Sequence, residues 1–196
     1  MLKKFSKMPA YQFPLIEKLK KKLKKYLKNK LIIDIFLIGS SVKNKIEPKD
    51  IDIVVLFREE NFEKSSEIIY NIKEHLEIEN IHIEPLITDR ILSEKIFLPI
   101  LHEGFSMKHN KNVSELLGVK SFSLFIFSLI GLKNIDKVRF AQTIYGRKGN
   151  GLLMQEGGRS LGKGSFIISI NKEHLFREVM VKFKTKFEVK RIFVKD

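Results

Sequence analysis

Apolar positions along the 196-residue chain change their spacing several times, and each change marks a predicted element. Leu15, Leu19, Leu23 and Leu27 recur every four residues beside Tyr26, predicting a helix over 14–30 with one narrow apolar stripe and Pro14 in its first turn. Residues 31–38 and 51–57 are near-continuous apolar runs, the pattern of buried strands. Ile68, Ile69, Ile72 and Leu76 share one face of a predicted helix over 62–76. "IHIEPLI", residues 81–87, alternates apolar and polar as a half-buried strand does, and Pro85 assigns it to a sheet edge. Residues 93–105 read as a helix capped by Ser93, kinked at Pro99 and ended by Gly104. Helix, strand, strand, helix, strand, helix predicts an α/β sandwich.

The second half has a different texture. "SELLGV" and "SFSLFIFSLIGL" read as strongly apolar helical segments, with Phe122, Phe125 and Phe127 assigned to a core or an oligomer interface. "YGRKGNGLLMQEGGRSLGKG", residues 145–164, is rich in glycine and arginine. Strand "SFIISI", helix "NKEHLFREVMVKF" and strand "FEVKRIFV" follow, predicting a smaller C-terminal α+β domain. The polar stretch "SMKHNKN" sets the boundary, giving expected domains of 1–108 and 109–196.

Composition narrows the function classes. With no cysteine, thiolate catalysis, disulfides and cysteine zinc sites are excluded. The five histidines lack metal-site spacing, and His82 and His102 read as structural. The longest apolar run, 122–132, is too short to span a bilayer, and the N-terminal residues do not read as a signal peptide. A cytoplasmic protein without a membrane partner is expected. Thirty-seven Lys and Arg against 23 Asp and Glu leave a formal charge of +14, which favours polyanionic partners or nucleotide substrates. Richness in Lys, Ile and Glu is also a habit of thermophile proteins. Seven lysines between 18 and 28 form a belt on the first helix, where Lys21 and Lys25 are candidate phosphate-backbone contacts. Arg147, Lys148, Arg159 and Lys163 form a second basic group, a candidate contact for a nucleic-acid acceptor. "GGRSLGKGS" mimics a phosphate-binding P-loop, but Gly164 stands where Ser or Thr must follow the lysine and a strand follows instead of a helix.

The candidate chemistry lies between the first two strands. Asp50 and Asp52 flank one isoleucine at the head of the second apolar run, so both project from one face of a strand. Two adjacent carboxylates repel each other unless a cation lies between them, and hard oxygen ligands suit Mg²⁺. Upstream, Gly39-Ser40 closes the first strand. Glycine permits close backbone approach, the hydroxyls of Ser40 and Ser41 with freed amides can hold phosphate, and Lys43 adds a cation. Together these features predict a triphosphate–metal site.

Strand, Gly-Ser, nine residues, Asp-Ile-Asp and a second apolar strand resembles the signature of the DNA polymerase β-like nucleotidyltransferases, and among them the minimal nucleotidyltransferase domains. Where those often read GSxARG, this chain has Gly39-Ser40-Ser41-Val42-Lys43-Asn44, with lysine for arginine and asparagine for glycine. The resemblance covers about residues 30–105. It implies a nucleotidyltransferase core of mixed sheet and packed helices, with two Mg²⁺ ions (or Mn²⁺) between Asp50, Asp52 and a third carboxylate. Glu84 is the candidate for that third ligand, and Asp89 the fallback.

The expected reaction transfers a nucleoside monophosphate from an NTP, ATP foremost, to an acceptor hydroxyl with release of pyrophosphate. The charge favours nucleic acid, RNA before DNA, as acceptor. A partner protein modified as by minimal-nucleotidyltransferase antitoxins, or a catalytically degenerate nucleic-acid-binding protein, are the alternatives.

Overall fold

Residues 13–39, 50–147 and 149–195 are described by a computed structural model. Ser40, Ser41, Lys43 and Lys148 lie outside the described residues.

Two apolar runs in succession form the centre of the first sheet. β1 (Ile32–Ile38) and β2 (Ile51–Phe57) pair antiparallel, and each buries nearly every side chain, which explains the absence of alternation. From β2 the chain crosses through α2 (Phe62–Leu76) to β3 (Ile81–Ile87), which lies parallel to β2, the connection a parallel pair requires. β4 (Phe105–Ser106) and β5 (Lys111–Asn112) complete the order β3-β2-β1-β4-β5, so β3 with Pro85 is an edge strand as its sequence predicts.

Both faces of this sheet are covered. Ile35, Leu37, Ile53 and Val55 pack against α2 and α1 (Phe13–Leu23), which contributes Ile16, Leu19 and Leu23. Phe36, Ile38, Val54, Leu56 and Leu86 pack on the other side against Ile100 of α3 (Phe97–Glu103) and Val113 of α4 (Val113–Leu116). Each fully buried Leu or Ile contributes about 1.5–3 kcal/mol.

Two boundaries differ from expectation. The first helix ends at Leu23 and only a 3₁₀ turn, Tyr26–Lys28, continues it. Ser93 does not cap α3: its hydroxyl donates to Arg90 O at the end of a 3₁₀ segment, and α3 starts at Phe97. Pro99 therefore stands in the first turn, where its missing N–H has no intrahelical partner to lose.

The second unit begins at Gly118. The polar stretch near 106–112 forms β4 and β5 against β1, which moves the division nine residues past 108. Here the largest correction lies. Residues 119–128 are not helical but form β6 (Val119–Ser128), the strand between β8 (Ser165–Ser169) and β9 (Lys186–Lys195). Ser121, Ser123 and Phe125 are buried on one face, and Phe122, Leu124 and Ile126 occupy the other. With α5 (Asn134–Ile144), α6 (Leu152–Gln155), β7 (Arg159–Gly162) and α7 (Glu173–Lys182), the unit reads βαββαβ apart from the short α6, with strand order β7-β8-β6-β9. This is the ferredoxin-like arrangement. Its core is aromatic: Phe125 stacks on Phe166 at 4.9 Å between centroids, and Phe176 lies against both. Residues 159–169 form a hairpin, β7 pairing antiparallel with β8, which agrees with the exclusion of a P-loop. Among the described residues, no helix is long and apolar enough to cross a membrane.

Candidate active site

Antiparallel register brings the end of β1 against the head of β2. Ile38, the last residue of β1, pairs with Asp52 of β2, so Gly39 leaves the sheet beside the Asp52 side chain. Gly39 has φ +74, and a Cβ placed on it would stand 2.5 Å from Asp52 Oδ2 and 3.5 Å from its Cγ. Any other residue would suffer both the left-handed backbone and the carboxylate. Glycine is thus required here by the position of the aspartate.

Asp50 directly precedes β2 and is exposed, while Asp52 is half-buried. The Ile51 amide, between them, donates to Asn80 O at 2.9 Å, which fixes the head of β2 against the start of β3. On β3, His82 is the residue paired with Asp52, and Glu84 is paired with Val54. Paired residues share a face, so Glu84 lies on the Asp52 face, one alternation further along the sheet. The sequence assigned His82 to structure; its register puts an exposed imidazole on the strand position next to Asp52. Strand pairing is the signal that identifies it, and pairing is not written in local periodicity. Among the described residues, no three His, Asp or Glu side chains converge closely enough to hold a metal ion. Asp50 and Asp52, at the strand head, are both hard oxygen donors, the chemistry that Mg²⁺ selects. Asp89, the fallback, is exposed in the 3₁₀ segment after β3.

A different carboxylate in β1 is more buried than either aspartate, yet it is satisfied. Asp34 is 4% exposed. Its Oδ2 accepts from Ser106 Oγ at 2.5 Å, and its Oδ1 accepts from the amides of Ile35 and Lys108 at 2.7 and 3.1 Å. These bonds tie β1 to β4 and support the strand that ends at Gly39.

Lys21, Lys25, Arg147, Arg159 and Lys163 are all exposed. Lys25 Nζ rests 4.8 Å from the Tyr26 ring centroid. Lys22, in the same belt, donates to the carbonyls of His75 and Leu76 at 3.1 and 3.0 Å and meets Glu77 Oε2 at 3.3 Å. It caps the C-terminus of α2, where Glu77 is left-handed at φ 54. One member of the belt is therefore structural.

Residues 21–99 match the model of the family described as Polymerase beta, Nucleotidyltransferase. That span takes in β1, Gly39, both aspartates and Glu84. Among solved structures, a provisionally assigned nucleotidyltransferase from Sulfolobus solfataricus is similar at 14% identity, covering 54% of this chain and 90% of that one with a TM-score of 0.36. No protein of curated function matches the chain.

Proposed function

We propose that the chain, whose residues 21–99 match the nucleotidyltransferase family model, transfers a nucleoside monophosphate from an NTP, ATP foremost, to a hydroxyl of RNA. The observation that carries this reading is the packing of Asp52 on Gly39, which joins the end of the Gly-Ser strand to the Asp-Ile-Asp strand at one point.

Asp50 and Asp52 would hold Mg²⁺, which when bound neutralises phosphate charge and makes a coordinated hydroxyl more acidic. The turn at Gly39, with Ser40, Ser41 and Lys43 beyond it, would bind the β- and γ-phosphates and orient the α-phosphorus. Glu84 would accept the proton of the acceptor hydroxyl at a carboxylate oxygen. The hydroxyl oxygen then bonds to the α-phosphorus, the bond to the bridging oxygen breaks, and pyrophosphate carries away that electron pair. An RNA acceptor, rather than a protein, is supported by the charge of the second unit. From Gly118 onward there are 16 Lys and Arg against 6 Asp and Glu, so +10 of the +14 resides in residues 118–196.

Incubation with each α-labelled NTP, Mg²⁺ and total RNA tests the reading. Labelled RNA that disappears with Asp52→Ala is the expected result; label unchanged by that substitution overturns it.

A further inference from the structure

Among the described residues of the second unit, helices cover one face of its sheet and none covers the other. Phe125, Phe166 and Ile168 face the helices and are fully buried. On the opposite face, register aligns two rows across the strands. Arg159, Ile167, Leu124 and Lys190 form one row, from β7 through β8 and β6 to β9. Ser169, Phe122 and Ile192 form the next. The apolar members of both rows are only half-buried, and Ile126, further along β6, is 40% exposed. An antiparallel sheet with one solvated face ordinarily makes that face polar. Here the centre is apolar and aromatic, and the row through Leu124 ends in a cation at each margin, Arg159 and Lys190, with Glu188 beside Lys190 on the same edge strand.

We propose that this open face docks single-stranded RNA, with a base stacked on Phe122 and phosphates held by Arg159 and Lys190 at the two ends of the neighbouring row. The inference rests on the nucleic-acid acceptor proposed above and assigns the surface that receives it. Three strand spacings separate Arg159 from Lys190, about 14 Å, a width that suits the two or three splayed bases such four-stranded sheets accommodate. A ring at the sheet centre provides a sequence-tolerant stacking surface, and cations on both sides track the backbone. Ser169, beside Phe122, and Ser165, beside Ile126, supply hydroxyls able to bond a ribose 2′-OH, the group that separates RNA from DNA. Lys190 is tethered only loosely: its distance to Glu188 is 3.5 Å, between side chains 57% and 62% exposed. The ferredoxin-like arrangement hosts many functions, so these residues carry the inference and the fold alone does not. A second copy is the poorer occupant, because stacking two such faces would oppose two units of +10.

Fluorescence anisotropy of labelled oligouridylate with the full chain, without NTP, tests the assignment. Phe122→Ala is expected to weaken binding roughly five- to a hundred-fold. The paired change Arg159→Glu with Lys190→Glu, both on exposed positions that leave the core intact, should weaken it further. It should also flatten the salt dependence by about 0.7 for each phosphate no longer neutralised. DNA of the same sequence should bind more weakly, and duplex RNA should fail to compete. Unchanged affinity in both variants, or duplex RNA competing equally, overturns the proposal. A dimer broken by Ile126→Asp while RNA affinity stays constant also overturns it, by assigning the face to self-association. The two readings fail separately. Absent labelling with Phe122-dependent binding removes the catalytic reading alone, and Asp52-dependent labelling with Phe122-independent binding removes the docking surface alone.

Discussion

Asp52 and Gly39 occupy a single volume: the carboxylate of one stands where a side chain of the other would begin, 2.5 Å from Oδ2 to the position of a Cβ. A strand-head aspartate and a loop glycine, separated by a dozen residues in sequence, are thereby one structural unit. Gly39 cannot take a side chain while the Asp52 carboxylate keeps its place.

Gly39→Ala should therefore lower stability by more than about 1 kcal/mol, because L-residues at positive φ are strained and the Asp52 carboxylate must move. A displacement near 1 Å at reacting groups reduces rates about a hundred-fold. Thermal denaturation and NTP labelling measured on the same preparation check both effects. Wild-type values in both assays would show that Asp52 has no fixed position.

Glu84 and His82 share a face with Asp52 at different register positions, His82 opposite Asp52 and Glu84 opposite Val54. Glu84→Gln should cost about 10²- to 10⁴-fold in labelling rate, the usual contribution of a general base. His82→Gln should cost less. The reverse order would transfer the proton-accepting role to the residue directly opposite Asp52.

The second unit holds a buried carboxylate whose state depends on acid. Glu173 Oε2 accepts from Ser123 Oγ at 2.6 Å and Arg191 Nε at 3.4 Å, and its Oε1 accepts from Arg177 Nε at 2.8 Å. Burial pushes its pKa upward, but the bonds from Ser123 and Arg177 and the charges of Arg191 and Arg177 outweigh burial and bring it below the usual 4.5. A folded-state pKa below the unfolded one gives stability that is present above 4.5 and lost as pH falls through the lowered value. Glu173→Gln should cost about 1–3 kcal/mol at neutral pH. The gap between it and wild type should close below pH 4.5, as read by denaturant unfolding across pH. A gap independent of pH would mean the carboxylate charge contributes nothing.

Lys22 and Lys21 are neighbours in one basic belt with different duties. Lys22→Ala removes the cap from α2 and should cost about 0.3–1 kcal/mol. Lys21→Ala, at an exposed position, should stay within about 0.5 kcal/mol of wild type. Chemical denaturation separates them; equal effects would remove the capping role.

Local pattern alone determined most of the first unit. Residues 51–57, 62–76 and 81–87 were legible because strand and helix periods are set by backbone geometry, and Pro85 marked its edge by its missing donor. The close approach at Gly39 was legible for a related reason: only a residue without a side chain permits it. Tertiary structure decided the rest. "SFSLFIFS" satisfies helical and strand spacings alike, and only its pairing with β8 and β9, 39 to 72 residues later, makes it a strand. That pairing sends Ser123 to Glu173 and Phe122 to the open face. Likewise, no local signal places His82 opposite Asp52 or the Asp52 carboxylate on Gly39. Those contacts exist because hydrogen-bonded register joins distant segments, and register is a property of the whole sheet.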